Sequence, residues 1–164
     1  VTLLLNGKKL GSKKIKNCRA NFNVRYKAGT LVAVAYDKNG KEISRSQLSS
    51  GGKEVILNVK ADKTVLRANG SDLCFVEIEF TDNNGVLKPY TEQRVEINTI
   101  GDSAVLQGFG SALYKTNEVF DKNYHDSYRG RAFAVFRSTE KTGKVTVTVS
   151  SKGVMPTTFE IEVE

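Results

Sequence analysis

The residues best suited to chemistry crowd into one stretch, 108–137, "GFGSALYKTNEVFDKNYHDSYRGRAFAVFR", which holds the chain's only histidine, His125. A Gly-x-Gly pair opens it, and a His-Asp-Ser run lies at 125–127. The glycines Gly108 and Gly110 would suit a phosphate loop. The dinucleotide fingerprint, however, needs a third glycine and a helix after a strand, and Ser111-Ala112-Leu113 supplies neither. No Gly-Lys-Ser/Thr follows, so the glycines read as a strand that bends or lets backbone approach closely. A nucleophilic triad needs groups that converge from separate places in the chain. His125, Asp126 and Ser127 are consecutive, and the expectation is a solvated loop histidine. No two acids are nominated as a facing catalytic pair, because they fall on strand faces (Glu77, Glu79, Glu160, Glu162) or in turns. No catalytic residue is therefore assigned.

Metal chemistry fares no better. One histidine and two distant cysteines, Cys18 and Cys74, do not make a zinc site. Asp37-x-Asn39-Gly40 and Asp82-x-Asn84-Gly85 resemble the start of a calcium loop, but both lack the later ligands and are also the composition of a hairpin turn. No metal and no cofactor is expected. Cys74 lies within "DLCFVEIEF" and reads as a small apolar core residue. Asn69-Gly70-Ser71 matches a glycosylation sequon and equally a turn. The remaining candidate is a contact surface made by Tyr114, Tyr124, His125, Tyr128 and Arg129. Aromatic faces stack on apolar ligand faces, and arginine adds forked hydrogen bonds. The occupant would be carbohydrate or another part of a larger protein.

The elements that would position these residues are strands. Helical periodicity is almost absent, whereas alternation and turn residues recur at intervals of about 8–12 residues. "VTLLL" and "KKLGSKK" flank Asn6-Gly7, a pair that accepts the positive φ angles of a tight hairpin. "ANFNVRY" alternates with Phe22, Val24 and Tyr26 on one face and reads as a strand. "GTLVAVAYDKNGKEISRSQ" is a hairpin turning at 37–40. "SQLSSGG" at 46–52 has the composition of a boundary. Strands then follow near 54–60 and 73–81 and in "RVEINTIG", "SAVLQGFG", "RAFAVFRST", "GKVTVTVSSKG" and "TTFEIEVE". The opening stretch becomes a long loop between two of them. The reading is all-β: two immunoglobulin-like β-sandwich units in tandem, residues 1–50 partial and 51–164 complete. Because the chain opens on a strand already under way and without methionine, a fragment with strands missing upstream is expected.

Charge is uneven along the 164 residues, whose net charge is +7. Residues 1–52 carry 11 Lys and Arg against two acids, Asp37 and Glu42, whereas 53–164 carry 14 against 16. The lysines flank turns and are not interleaved with the aromatic platforms of single-strand binders. Nucleic acid is not expected as a partner; an acidic neighbouring domain is. No apolar run approaches the roughly 20 residues that span a bilayer as a helix.

Several phrases carry a family resemblance. "VTLLLNGKKLGSKKI" and "YKAGTLVAVAYDKNGKEI" resemble the strands that follow the catalytic barrel in family 2 glycoside hydrolases, the β-galactosidase-like enzymes. "VLRANGSDLCFVEIEFTDNNGVLKPY" resembles the opening of their final immunoglobulin-like domain, and "YRGRAFAVFRS" its late strand. Where that family often has Gly-x-Gly-Asn-Gly, this chain has Gly108-Phe109-Gly110-Ser111-Ala112, so no role for the following loop is carried over. The resemblance implies a non-catalytic accessory region. The catalytic glutamates would lie on a separate barrel, and the parent would be a retaining β-galactosidase or related β-glycosidase in the periplasm or outside the cell. The partners implied are the catalytic and other domains of that parent. The alternative is a carbohydrate-binding or cell-surface adhesion module.

Overall fold

A computed structural model describes all residues 1–164 and contains strands and turns but no helix. The chain divides into two compact units, Val1–Ser50 and Gly51–Glu164.

Unit 1 is a single sheet. Its strands are β1 (Thr2–Leu5), β2 (Lys8–Ser12), β3 (Thr30–Tyr36) and β4 (Glu42–Ser49), in the order β2-β1-β3-β4. The β1–β2 turn has Asn6 at φ 50° and Gly7 at φ 77°, the left-handed pair that matches the twist of a hairpin. The Asn6 side chain then reaches across to β3, accepting from the Thr30 amide at 2.8 Å. In the β3–β4 turn the Asp37 carboxylate accepts from the amides of Asn39 and Lys41 at 2.8 and 2.9 Å. The alternating segment "ANFNVRY" is not a strand: residues 20–28 pair with nothing. Both sides of β3 are taken by β1 and β4, and the segment pairs with neither of the remaining outer edges, on β2 and β4. Phe22 instead lies under the Lys13 ammonium, 5.5 Å from the ring centroid, and Tyr26 donates to the Ser50 hydroxyl at 3.2 Å.

Unit 2 is a two-layer sandwich of immunoglobulin-like type. One sheet has the order β5-β7-β11-β9, made of β5 (Ile56–Ala61), β7 (Leu73–Thr81), β11 (Arg131–Ser138) and β9 (Ala104–Gly110). The other has the order β10-β8-β12-β13-β6, made of β10 (Tyr124–Asp126), β8 (Arg94–Ile100), β12 (Gly143–Ser151), β13 (Val154–Val163) and β6 (Val65–Leu66). From β5 to β12 each successive strand changes sheet. Period-2 alternation therefore puts one face of each strand into a shared core. On β7 that face is Cys74, Val76, Ile78 and Phe80, all fully buried, and it meets Val145, Val147 and Val149 from β12. The expected long loop from 108 to 130 is interrupted, because residues 124–126 pair with β8 as a short edge strand.

The turn at 82–85 repeats the device at 37–40. Asp82 accepts from the amides of Asn84 and Val86, and Gly85 takes φ 75°. It also accepts from Gly52 at 2.6 Å, and these backbone donors, Gly52 first, hold its carboxyl below the usual aspartate range. Asp37 and Asp82 each use Oδ1 to cap their own turn, and no three His, Cys, Asp or Glu side chains gather to hold a metal. Asn69 likewise organises its own turn, accepting from the amides of Ser71 and Asp72. Both cysteines are free thiols, Cys18 exposed and Cys74 buried.

Candidate functional site

The glycine pair acquires its meaning from strand parity. On β9, Phe109 points into the core and is 1% exposed, so Gly108 and Gly110 face outward. Their partners on β11 are Val135 and Phe133. On the other side of β11, Phe133 faces Glu77 and Arg131 faces Glu79 on β7. Two missing side chains beside two apolar ones leave a trough of about 680 Å³ on the outer face of this sheet. β9 carries an extra residue at this place, with the pairing register shifting between Val135 and Phe136, a bulge that bends the strand.

The trough is closed at one side by Phe120. Its carbonyl accepts from the Phe109 amide at 2.8 Å, which lays the loop alongside β9. Its ring occupies the place where a side chain on Gly110 would stand: a Cβ there would sit 2.4 Å from the ring. The opposite face of the problem is solved by His125, on which Phe120 stacks. At the end of the trough, Tyr128 and Arg131 exchange backbone hydrogen bonds of 2.8 and 3.0 Å around a tight turn. Its central residues are Arg129 at φ 50° and Gly130 at φ 74°, both left-handed. The Arg129 guanidinium lies over the Tyr128 ring, 5.5 Å from its centroid. Arg131 pairs with Glu79 at 2.9 Å.

His125 is fully buried, and the expectation of a solvated loop histidine is corrected. Pairing with Val95 on β8 turns it inward. There Nδ1 donates to the Asp126 carbonyl at 2.9 Å and lies 3.3 Å from a Glu118 carboxylate oxygen, while Nε2 has no partner. Glu118 is the hub that fastens the 111–123 loop. It accepts from the Asp126 amide at 2.9 Å and from Arg94, whose Nε donates to the Asp126 carboxylate at 3.0 Å. Asp126 is the first cause of the raised Arg94 pKa. Ser127 turns elsewhere, accepting from the Gln93 amide and donating to the Thr91 carbonyl. The His-Asp-Ser run thus sends its three side chains to three separate partners.

Of the five residues expected to form a contact surface, Tyr128 and Arg129 line the trough. Tyr114 is exposed on the loop, with the Lys115 ammonium 5.7 Å from its ring centroid. Tyr124 lies on β10 beneath the Arg94 guanidinium, 4.7 Å from the ring centroid. His125, being buried, offers nothing to a partner. Sequence reasoning missed Glu77, Glu79, Phe120, Arg131 and Phe133. The available signal was the outward parity of β7 and β11, where an aromatic and charged residues alternate against the buried set.

The family described as glycoside hydrolase family 2 C-terminal domain 5 matches residues 57–160, and a domain of unknown function, DUF4982, matches residues 1–44. A β-galactosidase of Bacteroides ovatus, BoGH2A, is 27% identical over the whole chain, which covers 19% of that protein. A solved structure of a family 2 glycosyl hydrolase from Bacteroides cellulosilyticus superposes with a TM-score of 0.93 at 30% identity, over 99% of this chain and 21% of that one. A second structure of a family 2 member from the same species gives 0.91 at 31% identity, over 98% of this chain and 22% of that one. The chain spans about a fifth of the length of the relatives it matches. It belongs to the family 2 glycoside hydrolases and corresponds to their C-terminal region.

Proposed function

We propose that this region is a non-catalytic accessory element that packs against and orients the catalytic barrel of a β-galactosidase-like parent acting with retention of configuration. The observation that carries the reading is the incompleteness of unit 1. Among its 50 residues only Leu3 and Val34 are buried apolar side chains, while Ile43 is 64% and Leu48 74% exposed. Every residue of β4, an edge strand, is exposed. A sheet of this size does not bury enough surface to be stable alone, and an exposed apolar edge invites pairing. Contact with a larger body resolves both.

The test uses the full-length parent. Ile43→Asp together with Leu48→Asp is expected to lower its thermal inactivation temperature while leaving kcat/KM for a nitrophenyl galactoside within about twofold. Unchanged thermal inactivation would refute packing, and turnover of that substrate by the pure 164-residue chain would refute the non-catalytic reading.

A further inference from the structure

We propose that the outer-face trough of β7, β11 and β9 is a binding site for a short neutral oligosaccharide. Its volume, about 680 Å³, lies within the roughly 300–1,000 Å³ typical of small-ligand sites. It is concave, whereas a protein partner needs a broad patch of roughly 800 Å² per side. Two aromatic rings stand in its walls: Phe120 stacks on His125 and Phe133 on Phe75, yet they remain 58% and 42% exposed. Pyranose rings present an apolar face of C–H groups that packs on such rings, and burying both surfaces is favourable.

Charge decides the ligand class. The trough is lined by Glu77, Glu79, Arg129 and Arg131, two charges of each sign. A strongly anionic or cationic ligand would meet repulsion from one pair as it met attraction from the other. Glu79 and Arg131 are paired with each other. Glu77 and Arg129 form no ion pair, so one carboxylate is free to accept from ligand hydroxyls and one guanidinium to donate to them.

The Tyr128–Arg131 turn supplies an independent sign. Its first central residue is left-handed, a conformation for which asparagine or glycine is the stable choice. Arginine stands there instead, at φ 50°, and its guanidinium lies over the ring of Tyr128, both residues lining the trough. A residue kept in a costly backbone conformation at the rim of a cavity points to use of its side chain.

Calorimetry and amide NMR on the 164-residue chain test this, with lactose, cellotetraose, xylotetraose and a galactotetraose as neutral probes and an oligogalacturonate as the charged control. At least one neutral probe should bind and shift the amides of Gly108, Gly110 and Phe133, with an affinity insensitive to salt between about 0.05 and 0.5 M. Phe133→Ala and Arg129→Asn should each weaken it by about tenfold or more. Arg129→Asn should at the same time melt no lower than the unaltered chain, because asparagine relieves the turn. The proposal is overturned if no neutral probe binds at millimolar concentration, if binding survives both substitutions, or if the oligogalacturonate binds more tightly than every neutral probe.

Discussion

Phe120 lies flat on His125, with ring centroids 5.7 Å apart and planes 4° from parallel. Through this contact a residue on a surface loop covers the chain's one imidazole and shapes one wall of the trough. Phe109 meets the same imidazole edge-on from the core side, centroids 6.3 Å apart. The loop's position, the burial of His125 and the form of the trough are thus coupled. Truncating the imidazole removes a stacked partner and opens a cavity. His125→Ala is expected to destabilise unit 2 by about 2–4 kcal/mol, read from urea unfolding. It should also speed amide exchange across 111–123, and a variant as stable as the parent sequence would contradict the packing described.

Two glycines with similar backbone angles should respond differently to alanine. Gly85, at φ 75°, has open space where a Cβ would stand, so Gly85→Ala should cost only the left-handed penalty of about 1–2 kcal/mol. Gly130, at φ 74°, would place its Cβ 2.5 Å from the Lys88 carbonyl oxygen. Gly130→Ala should therefore cost clearly more, and equal denaturation midpoints for the two variants would refute the close approach.

Acid sensitivity should trace in part to Asp72. The Lys63 ammonium, 2.6 Å from its carboxylate, and then the Arg67 amide hold its pKa at about 2, below the ordinary 3.8. The folded state thus binds this proton more weakly than the unfolded chain. The stability it contributes is complete above about pH 4 and disappears as pH falls from 3.8 towards 2. Asp72→Asn should lower stability at neutral pH and flatten the acid limb of the stability curve, measured by urea unfolding between pH 2 and pH 7. An acid limb as steep as before would rule out this role.

Thiol reactivity should separate the cysteines. Cys18 sits exposed in the turn 16–19, whereas burial first of all pushes the Cys74 thiol up to about 11. The thiolate is the reactive form. Iodoacetamide on the folded chain should label one cysteine, Cys18, and label the second only after denaturation. Mass spectrometry showing Cys74 modified in the folded state would contradict its burial.

Much of the architecture was legible in the residues. The Asn6-Gly7 turn, the two Asp-x-Asn-Gly turns and strands such as 73–81 and 94–100 rest on local rules: φ preferences, side-chain capping and period-2 alternation. The all-β reading follows from the same rules. Where local rules failed, a non-local condition intervened. "ANFNVRY" has the alternation of a strand, but the places beside β3 went to β1 and β4, and the segment joined neither outer edge of the sheet. His125 lies in a polar, tyrosine-rich run with the composition of a loop, yet residues 124–126 found an unpaired edge of β8, and that pairing turned the imidazole inward.

The candidate site divides along the same line. Sequence alone determined that Gly108 and Gly110 share one face of a strand, that Glu77 and Glu79 share another, and that the chain resembles the C-terminal region of a family 2 glycoside hydrolase. Tertiary structure decided that these faces are one face. β11 brings Phe133 between Glu77 and Gly110, and the Glu118–Arg94 clamp holds Phe120 against the glycine. Register between strands, and the docking of a loop whose anchor lies 24 residues away in sequence, depend on long-range pairing and long-range side-chain hydrogen bonds. Neither leaves a periodic trace in the amino acids themselves.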